Sequence, residues 1–534
     1  MRKHHIPNKN YTELGQTFQL VLPLSLEGLI PEDDSVRLLS HELEELDYTK
    51  LYMAYSTKGR NPVVDPKTMF KIMIYAYSQQ IYSTRKIEQA CKRDINFMWL
   101  LAGQNAPDHS TISRFRTGHL LDACEDLFYQ YVRRLAAMSE LGLETVFVDG
   151  TKLESCANKY TFVWRKSVGK WEEKMFSKIT SVIDSINSEY MKSFKVTEEG
   201  CADDLQKVVS FLEQYNKDNG IIFVYGRGRR KSKHQKYFEI CRRFLDRQHL
   251  YDLHNSRFNG RNSYSKTDVD ATFMRMKDDH MRNAQLKPGY NVQLAVDSEY
   301  IVATDIFQDR NDAWTLVPLL KNMDKNLDFR YPSVTADAGY ESEEAYDYLM
   351  LQKQEAYIKP QVYERQKKRK LKQDISKREN MEYNSAEDYY VCHNNKKLKS
   401  AFVKKQKTKS GYITDVTVYE SEGCCGCQFK SECTSAQGNK RLYVSKNFLD
   451  KRQKSHENIT SEKGTKYRIN RSIQVEGAFG VLKSDYKFQR FLLRGKIKVK
   501  IEILLLCFGF NINKLHSKIQ NERTGFHLFE LKSA

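Results

Sequence analysis

Three acidic residues stand in sequence contexts where an acid is unexpected, and their side chains could hold divalent metal ions. Asp149 and Asp337 each end a short apolar run that predicts a buried strand, and Glu476 lies in a segment with helical spacing. Carboxylates that converge from two strands and a helix form an all-oxygen site, which suits Mg²⁺ or Mn²⁺ because hard cations prefer oxygen ligands. Two such ions stabilise the attacking and leaving oxygens of a phosphoryl displacement. The three acids therefore predict metal-dependent phosphodiester chemistry.

Each acid taken alone has a structural explanation. An aspartate before glycine at the end of a strand is a common turn residue, and a helical glutamate is commonly a solvated surface residue. Asp312, which follows Asn311, is a candidate fourth acid, although the N-cap of the following helix is the better interpretation. The catalytic interpretation depends on the three acids occurring together in a strongly basic chain.

Four cysteines form a second group with ligand chemistry. Cys424, Cys427 and Cys433 follow one another closely, and Cys392 lies upstream across a predicted hairpin. Thiolates at this spacing can hold structural Zn²⁺ tetrahedrally, but the pattern is incomplete beside a double Cys-x2-Cys motif. Zinc binding and free thiols therefore both stay open, with Cys425 as a substitute ligand.

The composition indicates a polyanionic partner. The 534 residues include 87 Lys and Arg against 68 Asp and Glu, a net charge of +19, and so large a positive balance favours nucleic acid. Eleven cysteines, an odd number, and no apolar stretch after the basic first residues predict a reducing cytoplasm. The apolar run at 501–510 is far shorter than the roughly 20 residues of a membrane span. We expect a cytoplasmic protein of several domains without a membrane partner.

The segment from residue 35 to about 140 is predicted to be helical throughout. One helix begins at Pro66, a second at Ser83, and a third after Pro107 with Asp108 or Ser110 as its N-cap. Two short helices followed by a capped helix are typical of a helix-turn-helix DNA reader, and an ordinary bundle with exposed arginines is the alternative. The candidate DNA contacts on the third helix are Ser113, Arg114 and Arg116.

Two further basic regions are candidates for phosphate contact, with solvated surface charge as the alternative. One is the glycine-rich loop at 226–234, with Arg229, Arg230 and Lys231. The other follows Glu476, where Lys483 lies two helical turns along, roughly 10 Å away on the same face. Arg490 and Arg494 are predicted to share a helical face at i,i+4 spacing.

The order of the remaining elements predicts an α/β fold with a mixed sheet flanked by helices. A strand at 143–150, a hairpin across 290–307, a helix at 313–324, a strand ending at Asp337, a helix, a strand at 356–360 and final helices form the ribonuclease H-like order. The first and fourth strands of that fold are neighbours, which would bring Asp149 and Asp337 together. The predicted organisation is an all-α N-terminal DNA-binding domain (1–140), the first core strand (141–160), a basic helical insertion (161–262), the catalytic core (263–360), a basic insertion with the cysteines (361–465) and the C-terminal helices of the core (466–534).

Four segments carry a resemblance to a known family. They are the N-terminal segment 59–116, the strings at 147–151 and 336–340 around the two aspartates, and the string at 475–483, which runs from Val475 to Lys483. With these motifs the chain resembles bacterial insertion-sequence transposases of the DDE class, in which a Lys often lies seven residues after the Glu. Relatives often carry an Arg four residues before the Glu, where this chain has Ser472. Arg471 and Arg468 are the nearest arginines, and which of them has that role stays open.

The resemblance implies a function. It implies a protein that binds the ends of its own mobile element, cuts the DNA with two Mg²⁺ or Mn²⁺ ions held by the three acids, and transfers the freed strands to target DNA. It also implies double-stranded DNA as partner, a homodimer in the DNA complex, and a location at the bacterial nucleoid. A ribonuclease H-like nuclease without strand transfer, and a non-catalytic DNA-binding protein descended from a transposase, are the alternatives.

Overall fold

The computed structural model describes residues 26–56, 58, 61–226, 228, 230–276 and 285–530. They form a mixed α/β structure with two larger sheets and many helices. The strands are β1 (Thr145–Glu154), β2 (Phe162–Trp164), β3 (Ser263–Ser265), β4 (Thr272–Arg275), β5 (Leu286–Asp297), β6 (Tyr300–Phe307), β7 (Ser333–Ala336), β8 (Glu355–Ile358), β9 (Glu382–Asn384), β10 (Tyr389–Val391), β11 (Lys397–Lys407), β12 (Ile413–Ser421) and β13 (Arg441–Val444).

The helices fall before, between and after these strands. Those before β1 are α1 (Ser35–Glu44), α2 (Thr49–Met53), α3 (Pro66–Ser78), α4 (Thr84–Arg93), α5 (Ile95–Leu101), α6 (His109–Arg114) and α7 (Cys124–Ala137). Those that follow are α8 (Arg165–Tyr190), α9 (Cys201–Asp218), α10 (Lys233–Phe258), α11 (Leu316–Asn326), α12 (Glu343–Leu351), α13 (Tyr363–Gln366), α14 (Arg369–Lys372), α15 (Lys430–Cys433), α16 (Lys446–Thr460), α17 (Glu462–Arg471), α18 (Gly477–Gly480) and α19 (Lys496–Gln520).

The central sheet has the order β4-β5-β1-β7-β8, with β6 also paired to β5. Strand β1 runs antiparallel to β5 and parallel to β7, and Val148 is the partner of Ala336 in the parallel pair. The buried apolar runs of β1 and β7 explain this central position, because a strand covered on both faces is apolar along its length. The predicted adjacency of the first and fourth core strands is confirmed, as is the β5–β6 hairpin.

The N-terminal helices share one hydrophobic core with the central sheet. Helix α19, buried along most of its length, lies between them and packs against α3, α7 and β6. A Cβ atom at Gly509 would lie 2.8 Å from the backbone nitrogen of Ser78, so glycine permits the close crossing of α19 and α3. As predicted, Pro66 begins α3 and Asp108 caps α6, accepting from the Thr111 amide at 2.6 Å.

Two segments lie apart from this shared core. Helices α8, α9 and α10 enclose a core of their own, and the pairing of β2 with β3 brings the two ends of that bundle together. The segment 382–444 forms a five-stranded antiparallel sheet in the order β13-β12-β11-β10-β9. Helix α16, which follows it, packs on β8, where the Ser455 hydroxyl donates to the Ile358 carbonyl at 2.8 Å.

No helix in the described ranges is both long and apolar enough to cross a membrane.

Candidate active site

Asp149 and Asp337 occupy neighbouring positions at the edge between β1 and β7. Asp149 lies within β1, and its Oδ1 accepts from the Gly150 amide at 2.7 Å. Asp337 follows the last residue of β7 and caps a short 3₁₀ turn, accepting from the Gly339 amide at 2.8 Å. Because Val148 pairs with Ala336 in the parallel ladder, the next residue on each strand is an aspartate. Sheet pairing, not sequence proximity, therefore brings these two acids together.

Glu476 approaches the same place from a long helical segment, 462–485. This segment starts as α17, changes to a π-helical turn over Ser472–Glu476, continues as α18 and ends in a second π-helical turn over Val481–Asp485. Glu476, Asp149 and Asp337 line one open cleft of about 850 Å³. Single π-helical turns within α-helices, such as these two, are frequent at functional sites.

Arg471 connects two of the three acids. Its Nη1 lies 2.9 Å from Asp149 Oδ2, and its Nη2 lies 3.2 Å from Glu476 Oε1. The π-helical turn explains how an arginine five residues before the glutamate reaches it, because i and i+5 lie above one another in a π-helix. In a regular α-helix the residue four before, Ser472, would hold that place. Arg471, not Arg468, is thus the arginine that the fold directs to the acids.

The electrostatics of the site are set by burial and by the close approach of two carboxylates. Burial raises the pKa of Asp149 above its usual value, the nearby Arg471 guanidinium opposes that shift, and the Asp337 carboxylate adds to it. Two carboxylates held side by side repel each other, and a cation between them removes the repulsion. Among the described residues, no three histidine, cysteine or acidic side chains stand close enough together to hold a metal ion. The side chains of this cleft would therefore have to move for the three acids to share one.

Asp312 does not cap a helix, contrary to expectation. Asn311 is the cap, accepting from the Ala313 amide at 3.2 Å. The Asp312 carboxylate instead accepts from Lys152 Nζ at 3.0 Å and from Asn291 Nδ2 at 2.6 Å. Sequence reasoning missed Lys152, whose signal was a lysine three residues after Asp149 on the same strand. Asp312 and Lys152 form an ion pair beside the acids.

A buried polar network extends this pair beneath the acids. The Tyr340 hydroxyl donates to Gln293, whose Nε2 donates to Asn291 Oδ1 at 2.9 Å and to Asp312 at 3.2 Å. Burial and three nearby carboxylates raise the pKa of Tyr340 well above its usual value. Tyr340 therefore keeps its proton and acts as a donor.

Two family models match the chain. One, described as Transposase domain (DUF772), covers residues 24–118, and the other, described as Transposase DDE domain, covers residues 391–516. Both matches support an insertion-sequence transposase of the DDE class. No curated protein and no solved structure gave a match. The second matched segment contains Glu476 and Lys483 of the transposase, whereas Asp149 and Asp337 lie outside both matches.

Further basic side chains line the transposase cleft. Lys483 and Arg490 lie there, together with Lys287, which sequence reasoning did not single out. The expectation that Arg490 and Arg494 share a helical face is wrong, because the chain between the 481–485 turn and α19 is not helical. Instead, Arg490 donates to the Ser155 carbonyl at 3.1 Å, and Arg494 donates to that of Cys156 at 3.4 Å.

Buried Glu502 holds this connecting segment in place. Its carboxylate accepts from the backbone amides of Leu492 and Leu493 at 3.0 Å each. Burial raises the pKa of Glu502 above its usual value, and the Leu493 amide opposes that shift. A helix residue therefore fixes the backbone that carries Arg490 into the cleft.

The three candidate DNA contacts on the helix after Pro107, which is α6 and the turn that follows it, differ in exposure. Arg114 is exposed and Ser113 is half-buried. Arg116 is a correction: it is 5 % exposed, and its Nη1 donates to the Tyr77 hydroxyl at 3.1 Å and the Tyr82 carbonyl at 2.9 Å. A guanidinium enclosed in this way supports the helix packing, contrary to the expectation of an exposed side chain.

The loop after α9 presents fewer free charges than its composition indicated. Arg230 is exposed, and Lys231 forms an ion pair with Glu239 at 2.6 Å. Arg229 lies outside the described residues. Among the described residues of this group, Arg230 is therefore the exposed candidate for phosphate contact.

The four candidate zinc ligands lie around one small cavity. Cys392, Cys424, Cys427 and Cys433 all line it, whereas Cys425 is exposed and does not. Of the other six cysteines, five are buried and Cys156 is half-buried, in agreement with a packing role.

Proposed function

We propose that this transposase binds the ends of its insertion sequence, cuts the DNA and transfers the strands to target DNA, with Asp149, Asp337 and Glu476 as the catalytic acids. The observation that carries the proposal is the meeting of these acids in one cleft although two of them belong to paired strands and the third to a distant helix. Convergence from three separate elements is hard to explain by turn or capping roles.

The sheet supports assignment to the ribonuclease H-like fold. Its strands β6, β5, β1, β7 and β8 follow the order 3-2-1-4-5 when counted along the core, with a helix segment after the last strand. The neighbouring first and fourth strands supply the two aspartates, and the segment 462–485 supplies the glutamate. On this proposal α8–α10 and the 382–444 sheet are insertions into a split catalytic core.

The donor set fits Mg²⁺ or Mn²⁺. Asp149, Asp337 and Glu476 offer only carboxylate oxygens, which hard cations prefer, and two ions would activate the attacking water and stabilise the leaving oxygen. Arg471 pairs with both Asp149 and Glu476 and balances part of their charge. A metal that took over this neutralisation would free the guanidinium to contact a DNA phosphate in the same cleft.

The cleft walls are suited to a DNA strand. Lys483 and Arg490 supply positive charge along them. Lys287 also lines the cleft but forms an ion pair with Glu154 at 3.1 Å. A Cβ atom at Gly480 would meet nothing within 4 Å, so this exposed residue of the cleft is not required by protein packing. Its small size instead leaves room for close approach of a phosphate backbone. Two chains would act together, one at each end of the element.

The test uses full-length protein, Mg²⁺ or Mn²⁺, and labelled linear duplexes carrying the DNA that flanks the coding region on either side. Asp149→Asn, Asp337→Asn and Glu476→Gln should each reduce cleavage below detection and leave end binding near normal. Asp485→Asn is the matched control, because Asp485 is an exposed acid of the same helical segment that does not line the cleft.

The products separate the three functions. Cut ends joined to target DNA support the transposase reaction, cut ends alone support a nuclease without strand transfer, and a gel shift without cutting supports a non-catalytic DNA-binding protein. Near-normal cleavage by any one of the three acid variants would remove that acid from the proposed site.

A further inference from the structure

The cysteine-lined cavity of the 382–444 sheet stands apart from the catalytic cleft and has ligand chemistry of its own. It is built from three places in the sequence: Cys392 after β10, the Cys424–Cys427 turn after β12, and Cys433 in α15. All four residues are free cysteines. We propose that they form a structural zinc site that completes the core of this lobe.

Hydrogen-bond donors already point at three of the four sulfurs. The backbone amide nitrogen of Lys440 lies 3.3 Å from Cys424 Sγ, and the side-chain Nζ of the same residue lies 3.3 Å from Cys433 Sγ. Asn394 Nδ2 lies 3.5 Å from Cys427 Sγ. Donors placed on sulfur stabilise a thiolate and are the outer-sphere contacts that accompany metal ligation. Ordinary core cysteines do not need such a set.

The charge of the cavity wall also suits an anionic metal centre. Lys396, Lys430 and Lys440 line it, and no carboxylate does. Lys440 is 5 % exposed, and its Nζ donates to the Ser376 carbonyl at 2.7 Å. Zinc with four thiolates carries two negative charges, and a buried ammonium beside it would balance part of that charge.

The cavity between the four cysteines is small. Its volume is about 20 Å³, close to that of one water-sized sphere, which suits a single ion. Within the described ranges, no three of these sulfurs lie close enough together to bind one metal ion in the present arrangement. Binding would draw the Cys424–Cys427 turn and α15 inward around the ion.

The lobe has a structural need for such an ion. Its hydrophobic cluster is small, with Tyr390, Leu398, Tyr419, Leu442 and Val444 as buried members, and Val416 and Val418 of β12 are buried as well. Strand β11 is exposed at every residue from Lys399 to Lys407. So small a core gives little folding free energy, and structural zinc supplies it in comparable small domains.

Zinc content decides the proposal. Full-length protein purified without chelator should contain about one zinc per chain by atomic emission. Cys427→Ser and Cys433→Ser should lose it, and the 382–444 segment should become protease-sensitive. Cys425→Ser is the matched control and should keep the zinc, because Cys425 is exposed and away from the cavity.

A second measurement covers the case in which a cysteine variant does not fold. Wild-type protein reloaded with Co²⁺ should show the strong visible bands of tetrahedral cobalt and the near-ultraviolet sulfur-to-cobalt charge transfer of four thiolates. Zinc should also remain in Asp149→Asn, Asp337→Asn and Glu476→Gln protein, which keeps this result independent of the catalytic proposal. Absence of zinc and of the cobalt bands, with the four cysteines titrating as free thiols or found in a disulfide, would overturn the site.

Discussion

Arg471 contacts Asp149 and Glu476 although its spacing from Glu476 is unfavourable in a regular helix. Five residues along an α-helix point roughly 140° away from the first residue, so a helical wheel would put Arg471 and Glu476 on different faces. The π-helical turn Ser472–Glu476 adds the residue that realigns them. The identity of a side chain in a helix motif therefore matters less than its angular position.

The first prediction exchanges the two positions. Arg471→Gln should lower the cleavage rate by about 10- to 100-fold, because hydrogen bonds to charged groups contribute about 1.5–3 kcal/mol each and about 1.4 kcal/mol changes a rate tenfold. The double variant Arg471→Ser, Ser472→Arg should be equally slow, since its guanidinium would point away from the cleft. Single-turnover cleavage of labelled element ends measures both rates.

Arg468→Gln is the control for that exchange. Arg468 lies one turn earlier and donates to the Thr465 hydroxyl at 3.3 Å, away from the cleft lining. Cleavage near the wild-type rate is expected. Full activity of the double variant would contradict the π-helical explanation, because the arginine would then act from the α-helical position.

At the residue scale, local pattern was sufficient for some side chains and misleading for others. The adjacency of Asp149 and Asp337 in the sheet was predictable because each acid ends an apolar run of the sequence. Arg116 was not, because its burial depends on Tyr77 and the Tyr82 carbonyl, which belong to other elements. A charged residue shows no sequence sign of being enclosed by neighbours that arrive from elsewhere in the chain.

At the scale of elements, Gly477 and Gly480 of the 462–485 segment have surroundings opposite to those of Gly509 in α19. A Cβ atom at Gly477 or Gly480 would meet nothing within 4 Å, whereas one at Gly509 would lie 2.8 Å from the Ser78 nitrogen and 3.1 Å from its Cα. Backbone atoms cannot yield as a flexible side chain can. Small size therefore serves packing at Gly509 and leaves open space at the other two.

The second prediction uses this contrast. Gly509→Ala should lower the free energy of unfolding by about 1–3 kcal/mol, the usual cost of overpacking a core. Gly477→Ala and Gly480→Ala should leave it unchanged or raise it by about 0.5–1 kcal/mol, since alanine favours helix. Thermal melts of the three variants provide the comparison.

DNA binding adds a second readout to the same variants. Gly480→Ala should weaken binding of element ends without a loss of stability, because Gly480 lines the cleft and Gly477 does not. Equal end binding by both variants would mean that the DNA backbone does not approach Gly480. A destabilised Gly480→Ala protein would show instead that packing requires this glycine.

Element types were largely predictable from periodicity, while the ends of elements were not. The β5–β6 hairpin and the helices of the first insertion follow directly from strand alternation and helical spacing. The sequence of the segment carrying Arg490 and Arg494 also predicts a helix, yet this segment is not helical. There Glu502 accepts from the amides of Leu492 and Leu493, a competing arrangement that only tertiary packing creates.

At the scale of the whole molecule, sequence position hides which parts share a core. The Tyr82 hydroxyl donates to the Tyr486 carbonyl at 2.8 Å, and Asn513 Nδ2 donates to the Ser78 carbonyl at 3.0 Å. The first contact joins the first quarter of the chain to the segment before α19, and the second joins it to α19 itself. No local pattern indicates such pairing, because it depends on complementary surfaces far apart in sequence.

The last prediction follows from which helices share the central core and which enclose a separate core of their own. A fragment of residues 26–140 should not fold alone, because α3 loses the α19 surface against which it packs. A fragment of residues 160–266 should fold, because α8–α10 enclose their own core and β2 pairs with β3 to close its ends. Circular dichroism and limited proteolysis compare the two. Adding residues 490–525 as a separate peptide should restore the resistance of the first fragment to proteolysis. Cooperative unfolding of 26–140 without that peptide would mean that its helices need no partner from the C-terminal segment.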